Sequence, residues 1–361
     1  LAARQSKVRA ALAEKKQSAL LVTNFKDVSY LTGFEGDDSF AILTPDRLIL
    51  ISDTRYEEQI QRESPGVEVI IRKKGMSDAL IQLLKKLKLP KLAVEAENMT
   101  IRFREAFGKE LSKARVKTKL VPVDDIVVNV RNIKDAREVQ IIEEAIAIAE
   151  HGFNMLKANM RVGMTENEIA SLLVHEMRKR GAWNSSFDVI VGAGPNGSLP
   201  HYRPADYKIQ SNMPVLVDWG ALVRGYRSDL TRMILIGSIP PAIKEIYHVV
   251  LEAQLAAIAA IKPGKSGKQI DKIARDVIAR AGYGDKFGHG LGHGLGRDVH
   301  ETLSLGKLSK TLLRPGMVVT VEPGIYLPGV GGVRIEDDIL VTETGCRVLS
   351  QLPKDYESAK L

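Results

Sequence analysis

Asp218 and Asp229 stand on two apolar runs, Val215 to Trp219 and Tyr226 to Ile236, close enough to fold into a hairpin around Val223 and Arg224. That turn predicts Asp218 directly opposite Asp229, and directly opposed residues share a face with Cβ atoms about 5 Å apart. Glu322 and Glu336 repeat the arrangement across the glycine-rich turn Pro328-Gly329-Val330-Gly331-Gly332. Like charges that close repel, so four carboxylates meeting in one cleft must raise some of their pKa values or recruit cations. Two divalent ions balance four carboxylates. A second reading stays open at this point: each carboxylate pairs separately with Arg227, Arg232 or Arg334 on a solvated face.

Between the two hairpins, the segment Gly288 to Glu301 sets five glycines around His289, His293 and His300. Glycine removes side-chain bulk and lets backbone and imidazole approach a ligand closely. Imidazole completes carboxylate-rich metal sites, and a second histidine can move protons near neutral pH. A flexible surface loop would also be glycine-rich. Elsewhere, Phe187 to Val191 followed by Gly192-Ala193-Gly194-Pro195-Asn196-Gly197 matches a dinucleotide fingerprint, but that motif must open a helix. Pro195, Pro200 and Pro204 oppose one, so the stretch reads as a turn delivering His201 to the cleft.

The elements that must position these residues repeat. Glu138 to Met160 reads as a long amphipathic helix, and Thr165-Glu166-Asn167-Glu168 as a capping box opening a second helix to about Arg180. Strands are expected at Phe187 to Val191, Val215 to Trp219 and Tyr226 to Ile236. The second copy has helices at Ala242 to Ile261 and Lys268 to Ala281, then strands at Val318 to Glu322 and Val333 to Val341. Arg161-Val162-Gly163 in the first copy corresponds to Lys262-Pro263-Gly264 in the second. Two such halves facing each other would share a cleft.

Upstream, Ala19 to Val22, Phe40 to Leu43, Leu48 to Ile51, Val67 to Ile71 and Leu92 to Val94 read as strands, with a helix at Ser77 to Leu87. Alternation of this kind predicts a small α/β domain. The polar stretch Asn129 to Asp135 is a candidate boundary, giving domains of 1–130 and 131–361.

The 361 residues are 44% hydrophobic and 27% charged, an ordinary globular balance that excludes a disordered chain. Cys346 is the single cysteine, so no internal disulfide forms, and a reduced, cytoplasmic setting is expected. The longest apolar run, Val249 to Ile261, is too short to cross a bilayer. The chain begins at Leu1, which suggests a missing or processed start, and Leu1 to Lys16 lacks a signal-peptide pattern. The net charge of +8 is thinly spread, with dense basic stretches only at Arg72 to Lys74 and Lys85 to Lys91, so no nucleic-acid partner and no membrane partner is expected.

Taken together, Gly192 to Gly197 with His201, Val217-Asp218-Trp219-Gly220, Tyr226 to Arg232, Gly292 to Gly296, Val299-His300-Glu301, Val321 to Tyr326 and Gly332 to Asp337 resemble the pita-bread metallopeptidases. The similarity is to their Xaa-Pro aminopeptidase and Xaa-Pro dipeptidase (prolidase) branch. Ser29 to Phe34 and Asp53 to Tyr56 resemble that branch's creatinase-like N-terminal domain. The resemblance implies an α/β (α+β) chain whose C-terminal domain has two pseudo-symmetric halves with antiparallel sheet. It implies that Asp218, Asp229, His293, Glu322 and Glu336 bind two divalent metals, Mn²⁺ first and Co²⁺ or Zn²⁺ as alternatives, with Asp229 and Glu336 bridging. It gives His201 and His300 places at the substrate, Glu322 a proton-shuttling role, and Arg334 and Tyr326 supporting ones. A homodimer acting on peptides with an Xaa-Pro N-terminus is implied as well.

One departure matters. Many prolidases follow Val299-His300-Glu301 with a proline and an arginine that clamps the carboxylate of a dipeptide, whereas this chain has Thr302-Leu303-Ser304. The expectation is therefore an aminopeptidase on longer Xaa-Pro peptides, with a dipeptidase as the alternative and a non-catalytic peptide-binding protein of the same fold as a more distant one.

Overall fold

The computed structural model describes residues 1–361. The chain divides into two compact units, Leu1–Arg131 and Asn132–Leu361. No helix is long and apolar enough to cross a membrane.

The first unit is built on one six-stranded mixed sheet, in the spatial order Glu68–Ile71, Leu48–Ser52, Phe40–Leu43, Leu20–Val22, Lys91–Glu95, Lys119–Val123. Its inner strands read as unbroken apolar runs because both faces are covered. Leu20 and Val22 belong to one apolar cluster, whereas Leu21 belongs to another. The sequence misses the edge strand Lys119–Val123, where exposed Lys119 and Pro122 interrupt the apolar run. Proline is tolerated there because an edge position need not donate to a ladder.

The second unit carries the repeat. Helices Ala136–Asn159 and Glu166–Lys179 are followed by Pro241–Ala260 and Gly267–Arg280 in the second half. Capping boxes open three of them, at Asp135, Thr165 and Ser266. The repeated glycine turns do the same work twice. Gly163 and Gly264 have φ of +95° and +82°, and each turn exchanges two backbone hydrogen bonds with a later segment. Gly163 N–H donates to Ile209 and Ile209 N–H returns to Met164, both at 2.8 Å. Gly264 N–H donates to Leu313 at 2.9 Å and Leu313 N–H returns to Lys265 at 2.8 Å.

Strands Ile190–Ala193, Met213–Trp219 and Leu230–Ile236 form the first antiparallel sheet, and a five-stranded antiparallel sheet including Gly292–Gly294, Val318–Val321 and Asp337–Val341 forms the second. The first sheet is buried on both faces. Val215 and Val217 face the apolar cluster of the first-half helices, while Leu216, Met233 and Leu235 enter the cluster dominated by the second half. A backbone bridge between Thr231 and Glu336 joins the two sheets.

Two strands read as continuous from sequence are interrupted, and both breaks fall beside candidate ligands. Ser228 and Asp229 separate Tyr226–Arg227 from Leu230–Ile236, and Ile335 and Glu336 separate Gly331–Arg334 from Asp337–Val341. The strand expected at Phe187 to Val191 begins at Ile190 instead, and Phe187, Asp188 and Val189 ahead of it line a cavity.

Candidate metal centre

The first hairpin closes at Arg224 and Gly225, whose φ values of +46° and +78° suit a two-residue turn that follows the strand twist. This is one position later than Val223 and Arg224, and it moves the register by two residues. Val223 pairs with Tyr226 and Asp218 with Thr231. The expected direct opposition of Asp218 and Asp229 is thus corrected to a diagonal relation. In the second hairpin Val321 pairs with Asp337 and Gly324 with Arg334, so the register places Glu322 opposite Glu336 as the spacing predicts.

His293 rides on Gly292–Gly294, and the flanking glycine is needed for close approach: a Cβ on Gly292 would lie 2.0 Å from the Thr320 carbonyl oxygen. His293 N–H donates to Thr320 Oγ1 at 3.1 Å, and Thr320 Oγ1 lies 3.4 Å from Glu322 Oε1. The imidazole Nδ1 is 3.2 Å from the Gly294 carbonyl, so Nδ1–H donates and Nε2 keeps its lone pair. Nε2 lies 3.5 Å from Asp229 Oδ2 and 3.4 Å from Glu322 Oε1.

Potential ligand atoms of Asp229, His293 and Glu336 all lie within 4.8 Å of one another. Glu322 reaches this group through its approach to His293. Asp218 is turned differently, with Oδ2 accepting from Arg334 and Oδ1 buried without a hydrogen-bond partner. All five side chains line one cavity of 740 Å³, together with His201, His300 and Arg334. Tyr326 stands behind the wall and accepts from Arg334 at 2.8 Å.

Arg334 organises this wall. Besides Asp218 and Tyr326, its Nε donates to Thr231 Oγ1 at 3.1 Å, and the Thr231 hydroxyl donates to Glu336 Oε2 at 2.7 Å. Of the three arginines that could have neutralised separate carboxylates on a solvated face, only Arg334 touches one of the four, and it is buried. Arg232 pairs with Asp337, and Arg227 donates to the Ser186 and Arg297 carbonyls.

Burial dominates the proton chemistry. Asp229 and Glu336 are raised well above ordinary carboxylate values, first by desolvation and then by neighbouring negative charges. Asp218 is raised by desolvation against the pull of Arg334, and Glu322 is pushed up to about 8, again mainly by burial. Burial lowers His293 to about 3, so its imidazole is neutral. The site therefore combines four carboxyl groups, a neutral imidazole with its Nε2 aimed at two of them, and an orphaned Asp218 oxygen. An oxygen-rich set with one nitrogen fits hard or borderline divalent cations, which would favour the ionised carboxylates that burial alone disfavours.

Three side chains without an assigned role in the sequence reading help hold this wall. Thr231 links Arg334 to Glu336 and Thr320 holds His293, but neither is recognisable until the register is known. The third is His289. Its Nδ1 donates to the Gly290 carbonyl at 2.8 Å, leaving Nε2 to accept from the Tyr326 hydroxyl at 2.9 Å. Its place in the same glycine-rich run as His293 was the available signal.

A cleft between paired carboxylate hairpins, completed by a histidine on a glycine-flanked strand, defines a metal-dependent hydrolase. The profile of metallopeptidase family M24 matches residues 140–343, and that of the Creatinase/Prolidase N-terminal domain matches residues 4–133. The chain belongs to metallopeptidase family M24. It is similar to the Xaa-Pro dipeptidase from Bacillus anthracis, at 38% identity and a TM-score of 0.93 over 98% of both chains. It is also similar to the X-Pro aminopeptidase from Thermotoga maritima MSB8, at 37% identity and a TM-score of 0.88 over 94% of this chain and 96% of that one. The Xaa-Pro dipeptidase of Pyrococcus horikoshii is 40% identical over 249 residues, covering 69% of this chain and 71% of that protein.

Proposed function

We propose that this metallopeptidase is a dinuclear Xaa-Pro dipeptidase (prolidase) that hydrolyses the bond preceding proline. The observation that carries the reading is the likeness to the Bacillus anthracis Xaa-Pro dipeptidase across 98% of both chains. With the Pyrococcus horikoshii relative, it favours the dipeptidase over the aminopeptidase that the missing arginine suggested.

Asp218, Asp229, His293, Glu322 and Glu336 would hold two divalent ions, Mn²⁺ or Co²⁺ before Zn²⁺. When bound, the ions polarise the scissile carbonyl and provide a nucleophile from water near neutral pH. Glu322, on the cavity wall with Oε1 3.4 Å from His293 Nε2, would accept and return the proton of that water. Arg334 fixes Asp218 directly and Glu336 through Thr231. His201 and His300 line the cavity, where they would face the substrate, and the His300 ring packs edge-on against His293 at 4.2 Å between centroids. A homodimer is part of this proposal and is checked by sedimentation.

The direct test incubates metal-loaded and chelator-stripped protein with an Xaa-Pro dipeptide, an Xaa-Pro-Yaa tripeptide and Met-Ala-Ser, and identifies products by mass spectrometry. Metal-dependent cleavage of the dipeptide in preference to the tripeptide is expected. Cleavage of the tripeptide alone would return the assignment to an aminopeptidase.

A further inference from the structure

A dipeptide ends in a carboxylate one residue beyond the scissile bond, and a cavity that selects dipeptides needs a cation placed for it. The stretch Thr302-Leu303-Ser304 holds no cation where the resemblance would place an arginine, and Ser304 lines the cavity. Arg334 cannot substitute, because its guanidinium is buried and engaged by Asp218, Thr231 and Tyr326.

We propose that Arg203, which lines the same cavity, receives the substrate's terminal carboxylate. The proposal rests on the dipeptidase reading above. Arg203 lines the cavity with His201 and is solvent-exposed, and no hydrogen bond or ion pair within the chain engages its guanidinium. The exposed carboxylate of Asp188 lines the same cavity without pairing to it. An arginine fork matches a carboxylate with two parallel hydrogen bonds, so a free one beside the cleft is chemically suited to this end of the substrate.

A receptor must also be held in place, and the loop bearing Arg203 is fastened from behind. Glu166, fully buried at the first turn of its helix, accepts from Ala193 N–H at 2.9 Å, from Asn196 Nδ2 at 3.0 Å and from Ala205 N–H at 3.2 Å. Asn196 Nδ2 also lies 2.9 Å from the Tyr202 hydroxyl, next to Arg203 in the chain. One buried carboxylate thus ties both ends of the loop that carries His201 and Arg203. Glu166 is a positioning residue in this scheme, acting through the loop.

The test compares Ala-Pro with Ala-Pro-amide, which lacks the carboxylate, in Mn²⁺-loaded wild type, Arg203→Met, Arg203→Lys and Lys307→Met. Lys307 lines an adjoining depression and is the competing cation. Arg203→Met is expected to raise KM for Ala-Pro by about 10- to 100-fold, as for loss of hydrogen bonds to a charged group, and to shift KM for the amide by at most a few-fold. Arg203→Lys should fall between, and Lys307→Met should match wild type. An unchanged dipeptide-to-amide ratio in Arg203→Met, or a ratio that moves only in Lys307→Met, overturns the assignment. The wild-type arm reads the underlying function separately: a wild type that cleaves the amide but not the dipeptide refutes the dipeptidase reading, and this proposal with it.

Discussion

Glu336 and Asp337 are neighbours in the chain, both almost completely buried, and they meet burial in opposite ways. Asp337 accepts from Arg232 at 2.6 Å, from Lys354 and from Gln254 at 2.9 Å. Burial would raise its pKa, but the two cations more than offset that and hold it below the usual carboxylate range. The Glu336 carboxylate accepts from the Thr231 hydroxyl and has no cation in direct contact, Arg232 reaching only the Glu336 backbone carbonyl, and its proton affinity is raised well above normal. One carboxylate is neutralised by fixed side chains and serves the fold. The other, with Asp229 and Glu322 beside it, belongs to a site whose balancing charge must come from outside the chain.

The largest effect that would break this contrast is on catalysis. Asp229→Asn or Glu336→Gln should lower turnover by about 10³-fold or more, since bound metal contributes several kcal/mol of transition-state stabilisation. Metal content per chain should fall with it, while the melting temperature of the stripped protein stays the same or rises because a buried repulsion is relieved. Arg232→Met should do the reverse. It leaves Asp337 with a single cation and should cost about 3–5 kcal/mol in denaturant unfolding, as when one partner of a buried pair is removed.

A smaller effect separates the two carboxylate types by pH. The folded value of Glu322, about 8, lies above its ordinary 4.5, so its contribution to folding is complete below about 4.5 and is lost as pH rises through about 8. Stripped protein should therefore melt at progressively lower temperature across that interval, and metal should flatten the dependence. Asp337 acts with the opposite sign: its contribution is present above its ordinary value of 3.8 and is lost as pH falls through its lowered folded value. Calorimetry of both forms across the pH range checks the two limbs. The smallest effect is expected for Thr231→Val, which removes the link between Arg334 and Glu336 and should weaken metal affinity by about 10- to 100-fold without unfolding the protein.

What the sequence made legible follows the same division. The capping box at Thr165 and the paired glycine turns are local signals and are found in place, whereas the grouping of Asp229, His293 and Glu336 was implied by the family resemblance, and the structure brings those three side chains together. The second hairpin was readable because its register is centred on the glycine-rich turn. The first was not, because Arg224 adopts a positive φ that sequence pattern gives little reason to expect, and this displaced the predicted turn by one residue. Relations across the long interval from Thr231 to Glu336 were invisible in spacing alone, as were Glu166's three bonds to a distant loop. Arg232 and Arg334 looked interchangeable as partners for the carboxylates, and only the packed structure gives one to Asp337 and the other to Asp218.

The most direct measurement of the central claim is a metal titration of stripped protein, following bound ions per chain and hydrolysis of Ala-Pro in the same samples. The account predicts that activity is absent in the stripped protein, rises with bound metal and saturates at two ions per chain, and that Asp229→Asn neither fills nor turns over. Full hydrolysis by stripped protein, or an Asp229→Asn variant that binds two ions and remains active, would contradict it.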